Sequence, residues 1–218
     1  SQDFANSPFD GIMGMALDQL SEERGTTPFS TLVNQGVVPQ SFFGFFLGRQ
    51  KDNTQGQLTI GGVDNSLFKG TISFNKLVNN QGFWEIAMDD ATVDGKSLNF
   101  NGKTAIIDTG TTLLIAPPAD AAAIHAAIPG SSQQGDNFII PCDTKSVVSL
   151  IFGGKSFDIN TEDLARDPIP GQANSCVSGI AGGQIGGPDQ WLVGDTFLKS
   201  VYSVYDIKKL AVGFAPLA

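Results

Sequence analysis

The segment that most constrains the fold is Asp108-Thr109-Gly110-Thr111, because apolar residues bound it on both sides. Residues 105–107 read Ala-Ile-Ile and residues 113–115 read Leu-Leu-Ile. Apolar runs of this length predict short buried strands. The sequence therefore predicts a tight turn between two strands, with one carboxylate built into it.

The side chains of this turn can hold that carboxylate in place. We expect Gly110 to permit a backbone conformation that residues with a Cβ resist. Thr109 and Thr111 carry hydroxyls that can hydrogen-bond the backbone or the carboxylate of Asp108. An Asp-Thr-Gly sequence also occurs as an ordinary Asx turn, so the tetrapeptide alone fits a catalytic and a structural interpretation.

Further stretches resemble the pepsin-like aspartic proteases in order and approximate spacing. They are A-I-I-D-T-G-T-T around Asp108, the pair Cys142 and Cys176, W-L-V-G-D-T-F-L at 191–198, and V-Y-S-V-Y-D followed by V-G-F-A-P at 201–216. The resemblance covers almost the whole chain. It implies a mostly β, bilobal acid protease fold, and the Val-, Ile-, Phe- and Thr-rich segments between Gly and Pro residues also indicate strands.

The resemblance also predicts the domain organisation. Residues 9–16, F-D-G-I-M-G-M-A, resemble a segment from the second half of the family's N-terminal lobe. Residues 1–70 are therefore predicted to be the second part of that lobe, and residues 71–218 a complete C-terminal lobe with the second Asp-Thr-Gly loop. Each lobe of the family supplies one Asp-Thr-Gly, whereas this sequence contains one. We expect a separate light chain of about 100 residues, the size of a small domain, to carry the first Asp-Thr-Gly and the flap.

The family pattern assigns roles to individual residues. Asp108 resembles the second catalytic aspartate, Thr109 the residue that locks the two Asp-Thr-Gly loops together, and Thr111 the hydroxyl that bonds the carboxylate. Gly110 completes the motif, and Gly194 resembles a glycine that packs beside this loop. Four further positions match the family's substrate pocket, although core packing explains them equally well; they are Ile12, Ile106, Thr112 and Leu192.

The cysteine spacing fits either one disulfide or two buried thiols. The resemblance favours a disulfide between Cys142 and Cys176, which implies an oxidising compartment and hence a secreted or a vacuolar or lysosomal protein. His125 is the only histidine and lies in an alanine-rich segment, where we expect a structural role in a helix. The sequence predicts no metal site and no cofactor.

The charge balance is acidic, with 22 Asp and Glu against 13 Lys and Arg and a net charge of −9. No basic run is present, so nucleic acid and anionic membranes are not expected partners. The acidity suits an acidic medium, and it also fits an ordinary solvated surface. The sequence shows no signal peptide and no apolar stretch long enough for a membrane span, as expected of a mature fragment.

Local signals predict the remaining elements. Helices are expected at residues 28–34, capped by Thr26 or Thr27, at 118–128 and at 160–164. A closing hairpin is expected from residues 202–206 and 211–215. Three acids that follow Trp84 are expected at the surface; they are Glu85, Asp89 and Asp90.

Peptide hydrolysis without a covalent intermediate needs a base for the attacking water and an acid for the carbonyl oxygen. Two carboxylates that share one proton supply both. The sequence therefore predicts an aspartic endopeptidase that acts at acidic pH on polypeptides and binds pepstatin-type inhibitors, provided that the light chain supplies the other Asp. The alternatives are a non-catalytic pepsin-like binding protein or inactive fragment and, third, a homodimeric protease with two copies of Asp108.

Overall fold

The structure is a computed structural model that describes residues 11–218. In this part of the chain strands dominate, which confirms the predicted mostly β fold. The strands are β1 (Phe42–Phe46), β2 (Gln57–Ile60), β3 (Ser73–Lys76), β4 (Glu85–Met88), β5 (Asp90–Val93), β6 (Lys96–Ser97), β7 (Lys103–Ile107), β8 (Leu114–Ala116), β9 (Ser132–Gln134), β10 (Asn137–Pro141), β11 (Val148–Phe152), β12 (Lys155–Asp158), β13 (Ala165–Pro168), β14 (Ser175–Ser178), β15 (Ile180–Gly182), β16 (Gln190–Val193), β17 (Val201–Asp206) and β18 (Ala211–Pro216). The helices are α1 (Pro28–Asn34), α2 (Pro118–Ala126), α3 (Thr161–Leu164) and α4 (Asp195–Leu198), and short 3-10 helices cover Asp18–Leu20 and Gln50–Asp52.

The three predicted helices form where local signals placed them. Pro28 occupies the first turn of α1, and Thr27 precedes it with extended backbone angles. The Thr27 side chain bonds Asp18 and Ser30 rather than a backbone N–H of the helix. Helix α2 ends two residues before the predicted position, at Ala126. Asn160 caps α3, since its side chain accepts a hydrogen bond from the Glu162 N–H at 3.0 Å.

The described strands form four sheets. Three are antiparallel, with the strand orders β2-β1-β17-β18-β3, β13-β14-β10-β9 and β12-β11-β5-β6. The fourth, β15-β8-β16-β7-β4, is mixed, because β16 runs parallel to β7 and antiparallel to β8. This sheet positions the candidate active site, because the Asp-Thr-Gly turn connects β7 to β8 on either side of β16.

The first of these sheets crosses the predicted domain boundary. Strands β1 and β2 fall within residues 1–70, whereas their sheet partners β17, β18 and β3 fall within 71–218. The hairpin of β17 and β18 confirms the predicted closing hairpin, with Tyr202 opposite Ala215. The division into lobes at residue 70 stays a prediction. Phe9 and Asp10 of the F-D-G-I-M-G segment lie outside the described residues.

The sheets enclose one contiguous hydrophobic core. Its largest fully buried members include Trp191, Phe152, Phe197 and Phe214, which come from three different sheets and helix α4. The three phenylalanine rings pack edge-to-face or tilted, with centroids 5.2 to 5.8 Å apart, and they join β11, α4 and β18. Within residues 11–218, no helix is both long and apolar enough to cross a membrane.

Candidate active site

Asp108 directly follows the last residue of β7. Its N–H donates to the carbonyl oxygen of Val193 at 3.0 Å, which ties the turn to the end of the parallel neighbour β16. The Gly110 N–H donates to Asp108 Oδ1 at 2.8 Å, and the Thr111 hydroxyl donates to Oδ2 at 2.6 Å. Each carboxylate oxygen therefore accepts one hydrogen bond from its own loop, and the plane of the carboxylate is fixed.

The reason for glycine at position 110 differs from the expected one. Gly110 does not have a positive φ, so the prediction of a conformation that other residues resist is wrong. An added Cβ would instead lie 3.1 Å from Asp108 Oδ1. The absence of a side chain leaves room for the carboxylate to receive the Gly110 N–H.

Gly194 packs against the same loop. A Cβ at this position would overlap the carbonyl oxygens of Thr111 and Leu113, so only glycine fits without movement of the loop. Its N–H donates to the Leu113 carbonyl oxygen at 3.2 Å, and the N–H of Asp195 donates to the Thr111 carbonyl oxygen at 2.8 Å. The start of α4 therefore supports the turn from behind.

Asp108 and Thr109 line an open cavity of about 550 Å³. Ile106 and Leu192 lie opposite each other on β7 and β16 and form part of its wall, so two of the four predicted substrate-pocket residues join Asp108 here. Among residues 11–218, Asp108 is the only carboxylate that lines the cavity. Thr109 is half-buried, and its hydroxyl makes no hydrogen bond within the described residues.

The other two predicted substrate-pocket residues lie elsewhere. Ile12 is 81% exposed and is not part of the cavity wall in the described part of the chain. Thr112 faces a separate polar cavity of about 180 Å³, lined by charged residues that include Arg49, Asp163 and Lys199. Neither Ile12 nor Thr112 therefore lines the Asp108 cavity.

Asp195 lies behind the Asp108 loop, where its N–H contacts Thr111, and an unusual carboxyl there was not predicted from the sequence. Burial raises the pKa of its carboxyl to about 6; the charge of Lys199 opposes this rise, and the charge of Asp108 adds to it. Asp195 Oδ1 is buried, and no donor among residues 11–218 reaches it. The sequence signal that could have identified Asp195 is its position directly after Gly194.

An aromatic cluster forms another wall of the cavity. The Tyr205 ring stacks on Phe43 at 5.1 Å and meets Trp84 edge-on at 5.3 Å. The Tyr205 hydroxyl is buried and has no partner among the described residues. Burial raises the pKa of Tyr205; the neighbouring Ser203 hydroxyl opposes this rise, and the negative charges of Asp108 and Asp195 add to it.

The prediction that Glu85 lies at the surface is wrong. It is 6% exposed on β4, where it accepts hydrogen bonds from Thr104 Oγ1 at 2.6 Å and Gln190 Nε2 at 2.9 Å. The prediction failed because both donors come from other strands of the mixed sheet. Asp89 is exposed and Asp90 is half-buried.

The predictions for His125 and the cysteines are confirmed. His125 is 1% exposed in α2, lies parallel to the Phe138 ring at 3.9 Å, and bonds the Ala121 carbonyl oxygen and Ser178 Oγ. Cys142 and Cys176 form a disulfide. No cluster of potential metal ligands occurs within residues 11–218.

Comparisons with known proteins agree with this geometry. The model of the family described as eukaryotic aspartyl protease matches residues 1–217. The chain is 44% identical over 216 residues to a probable aspartic-type endopeptidase CTSD of Arthroderma benhamiae, covering 99% of this chain and 42% of that protein. It is 37% identical over 219 residues to rhizopuspepsin of Rhizopus chinensis, covering 99% of this chain and 54% of that protein.

A similar match is found to the aspartic-type endopeptidase ctsD of Aspergillus fumigatus, with 36% identity over 218 residues, 99% of this chain and 45% of that protein. The chain thus spans about half the length of the curated relatives that it matches. Both the family match over nearly all residues and the geometry around Asp108 support one assignment: the chain belongs to the eukaryotic aspartyl protease family.

Proposed function

We propose that this chain supplies one half of the catalytic site of an aspartic endopeptidase that cleaves polypeptides at acidic pH. The observation that carries the proposal is the Asp108 carboxylate, held by Gly110 and Thr111 at the wall of an apolar cavity. Its relatives are named as aspartic-type endopeptidases. Thr109 and Gly194 would support the loop, and Ile106 and Leu192 would contact the substrate.

One carboxylate is not sufficient for this reaction. One group must take a proton from the attacking water while another protonates the carbonyl oxygen, and a pair of carboxyls that shares a proton performs both steps. We therefore propose that the second Asp comes from outside this chain, from a light chain of about 100 residues that also carries the flap. The Thr109 hydroxyl, which makes no hydrogen bond within residues 11–218, would bond the matching loop of that partner.

The compartment and the inhibitor class follow from the same proposal. The disulfide fits an oxidising environment, and a secreted or a vacuolar or lysosomal location would supply both this environment and an acidic medium. A pepstatin-type inhibitor, which mimics the tetrahedral intermediate, should bind the assembled site.

The test compares Asp108→Asn with the matched variant Asp136→Asn in the assembled enzyme, because Asp136 is an exposed acid that does not line the cavity. Cleavage of an unfolded protein at about pH 4 should be lost in Asp108→Asn and retained in Asp136→Asn. Equal cleavage by both variants would remove Asp108 from the mechanism. No cleavage by the wild-type assembly would favour a non-catalytic binding protein.

The two-chain arrangement has its own test. Denaturing intact-mass analysis and N-terminal sequencing of the purified active protein should find a second polypeptide with its own Asp-Thr-Gly. A single longer polypeptide that contains both motifs would contradict the separate light chain without affecting the role of Asp108.

A further inference from the structure

The wall of the Asp108 cavity has a polar end. Gln190 lines the cavity two residues before Leu192, so both side chains lie on the same face of β16. Glu85 and Thr104 belong to the same face of neighbouring strands, since Glu85 pairs with Ile106 and Thr104 pairs with Gln190. The apolar wall of Ile106 and Leu192 therefore continues into a polar group of three residues.

The contacts within this group fix the orientation of the Gln190 amide. Gln190 Nε2 donates to Glu85 Oε1 at 2.9 Å, and the same oxygen accepts from Thr104 Oγ1 at 2.6 Å. Because the Glu85 oxygen acts as an acceptor for both, the nitrogen of the amide must face Glu85. The amide oxygen, Gln190 Oε1, is left on the opposite side.

The Gln190 Oε1 atom lies next to Gly186. An added Cβ at Gly186 would lie 2.5 Å from Gln190 Oε1, and Gly186 is itself part of the cavity wall. Within residues 11–218 no group donates a hydrogen bond to Oε1, and this oxygen is not sealed from solvent. The cavity wall therefore carries a positioned acceptor, Gln190 Oε1, that receives no hydrogen bond from the described part of the chain.

The acceptor lies within reach of a bound peptide. Gln190 pairs with Thr104, which precedes Asp108 by four residues on β7. At about 3.3 Å per residue this places it about 13 Å from Asp108 along the strand. An extended substrate covers that distance with about four residues.

We propose that Gln190 is a specificity-determining residue whose Oε1 selects substrates with a hydrogen-bond donor in the side chain at one position near the cleaved bond. This inference rests on the proposed endopeptidase function. An amide side chain such as Asn satisfies Oε1, whereas the isosteric Leu removes water from Oε1 and leaves it without a partner. A preference of about tenfold in kcat/KM is expected from one such contact.

The experiment uses the assembled enzyme and a set of peptides in which Asn replaces Leu at each position within four residues of the cleaved bond. The ratio of kcat/KM for Asn and Leu peptides is measured for the wild type and for Gln190→Met, which keeps the length of the side chain. At one peptide position, the ratio of kcat/KM for the Asn peptide to that for the Leu peptide should be about tenfold lower in Gln190→Met than in the wild type.

Two further variants separate recognition from a general disturbance. Gly186→Ala leaves Gln190 in place but displaces its amide oxygen, so the ratio should fall at the same position. Gln133→Leu removes an amide from the exposed strand β9, and it should leave every ratio unchanged. Near-ultraviolet circular dichroism checks that each variant is folded.

The outcomes distinguish this inference from the proposed function. If the wild type cleaves peptides and the Asn to Leu ratios of Gln190→Met and Gly186→Ala match those of the wild type at every position, the inference is wrong and the endopeptidase function stands. If the wild-type assembly cleaves no peptide, the proposed function fails, and the inference fails with it.

Discussion

At the scale of single residues, Asp195 gives the region behind the Asp-Thr-Gly loop a group whose pKa is raised by burial. Its carboxyl has a pKa of about 6 in the folded chain against 3.8 for the unperturbed group, because burial disfavours the charged form. The folded state therefore binds more protons than the unfolded state between these values. The stability that protonated Asp195 contributes is complete below pH 3.8 and is lost as the pH rises through about 6.

We expect Asp195→Asn, which mimics the protonated acid, to be more stable than the wild type at pH 7 and similar to it at about pH 3.5. We expect its free energy of unfolding at pH 7 to rise by about 1 to 2 kcal/mol. This is less than the full pKa shift implies, because part of the Asp195 carboxyl remains solvated. Urea unfolding at the two pH values measures this difference. Equal stability at pH 7 would show that Asp195 is not desolvated in the folded protein.

Residues that interact across strands were the hardest to predict. The Asp-Thr-Gly turn could be predicted because its signals lie within a few positions of each other. Glu85 could not, because its partner Gln190 is 105 positions away in the sequence and reaches it only when β4, β7 and β16 assemble. Local sequence around Glu85 indicates an ordinary surface acid.

At the scale of elements, α2 carries a buried histidine that is sensitive to acid. Burial lowers the pKa of His125 to about 4 from 6.5, although its bond to the Ala121 carbonyl oxygen opposes this shift. The unfolded state therefore binds the proton first as the pH falls. The stability that neutral His125 contributes is complete above the unfolded value and is lost as the pH falls through the folded value.

As the pH falls from about 6.5 to 4, the wild type should therefore lose about 2 to 3 kcal/mol more unfolding free energy than His125→Gln loses. The variant should also be less stable at neutral pH, since it loses the stacking on Phe138. Thermal unfolding across this range tests both effects. A slope equal to that of the wild type would mean that His125 does not resist protonation in the folded chain.

The disulfide constrains a second group of elements. It joins Cys142, directly after β10, to Cys176 in β14, and 34 positions separate the two cysteines. Loop-closure entropy for a loop of this length predicts that Cys142→Ala with Cys176→Ala loses about 3 to 4 kcal/mol. Chemical denaturation of the double variant without reductant measures the loss. A difference below about 1 kcal/mol would contradict a stabilising role for the disulfide.

Elements with strong local signals could be predicted well, whereas their arrangement could not. Pro28 and the alanines of residues 121–123 identify α1 and α2 before any tertiary contact is known. The pairing of β1 with β17 joins segments about 160 positions apart and has no local signal. For the same reason, the sequence indicated a boundary near residue 70 but not the sheet that crosses it.

At the scale of the whole molecule, the described residues expose apolar surface that a partner could cover. Strand β2 is at one edge of its sheet, and Leu58 and Ile60 on it are 38% and 42% exposed. The open cavity beside Asp108 lies among aromatic side chains. Unpaired strand edges and apolar faces of this kind favour association. These features support the proposed assembly with the part that supplies the second Asp.

The central claim is that Asp108 is one of two carboxyls that share the chemistry of peptide hydrolysis. The most direct test is the pH dependence of kcat/KM for the assembled wild-type enzyme and for Asp108→Asn. We expect a wild-type profile with a maximum in acid and loss of activity towards neutral pH, and Asp108→Asn should be at least about a thousandfold slower throughout. An Asp108→Asn profile that superimposes on the wild-type profile would contradict the claim.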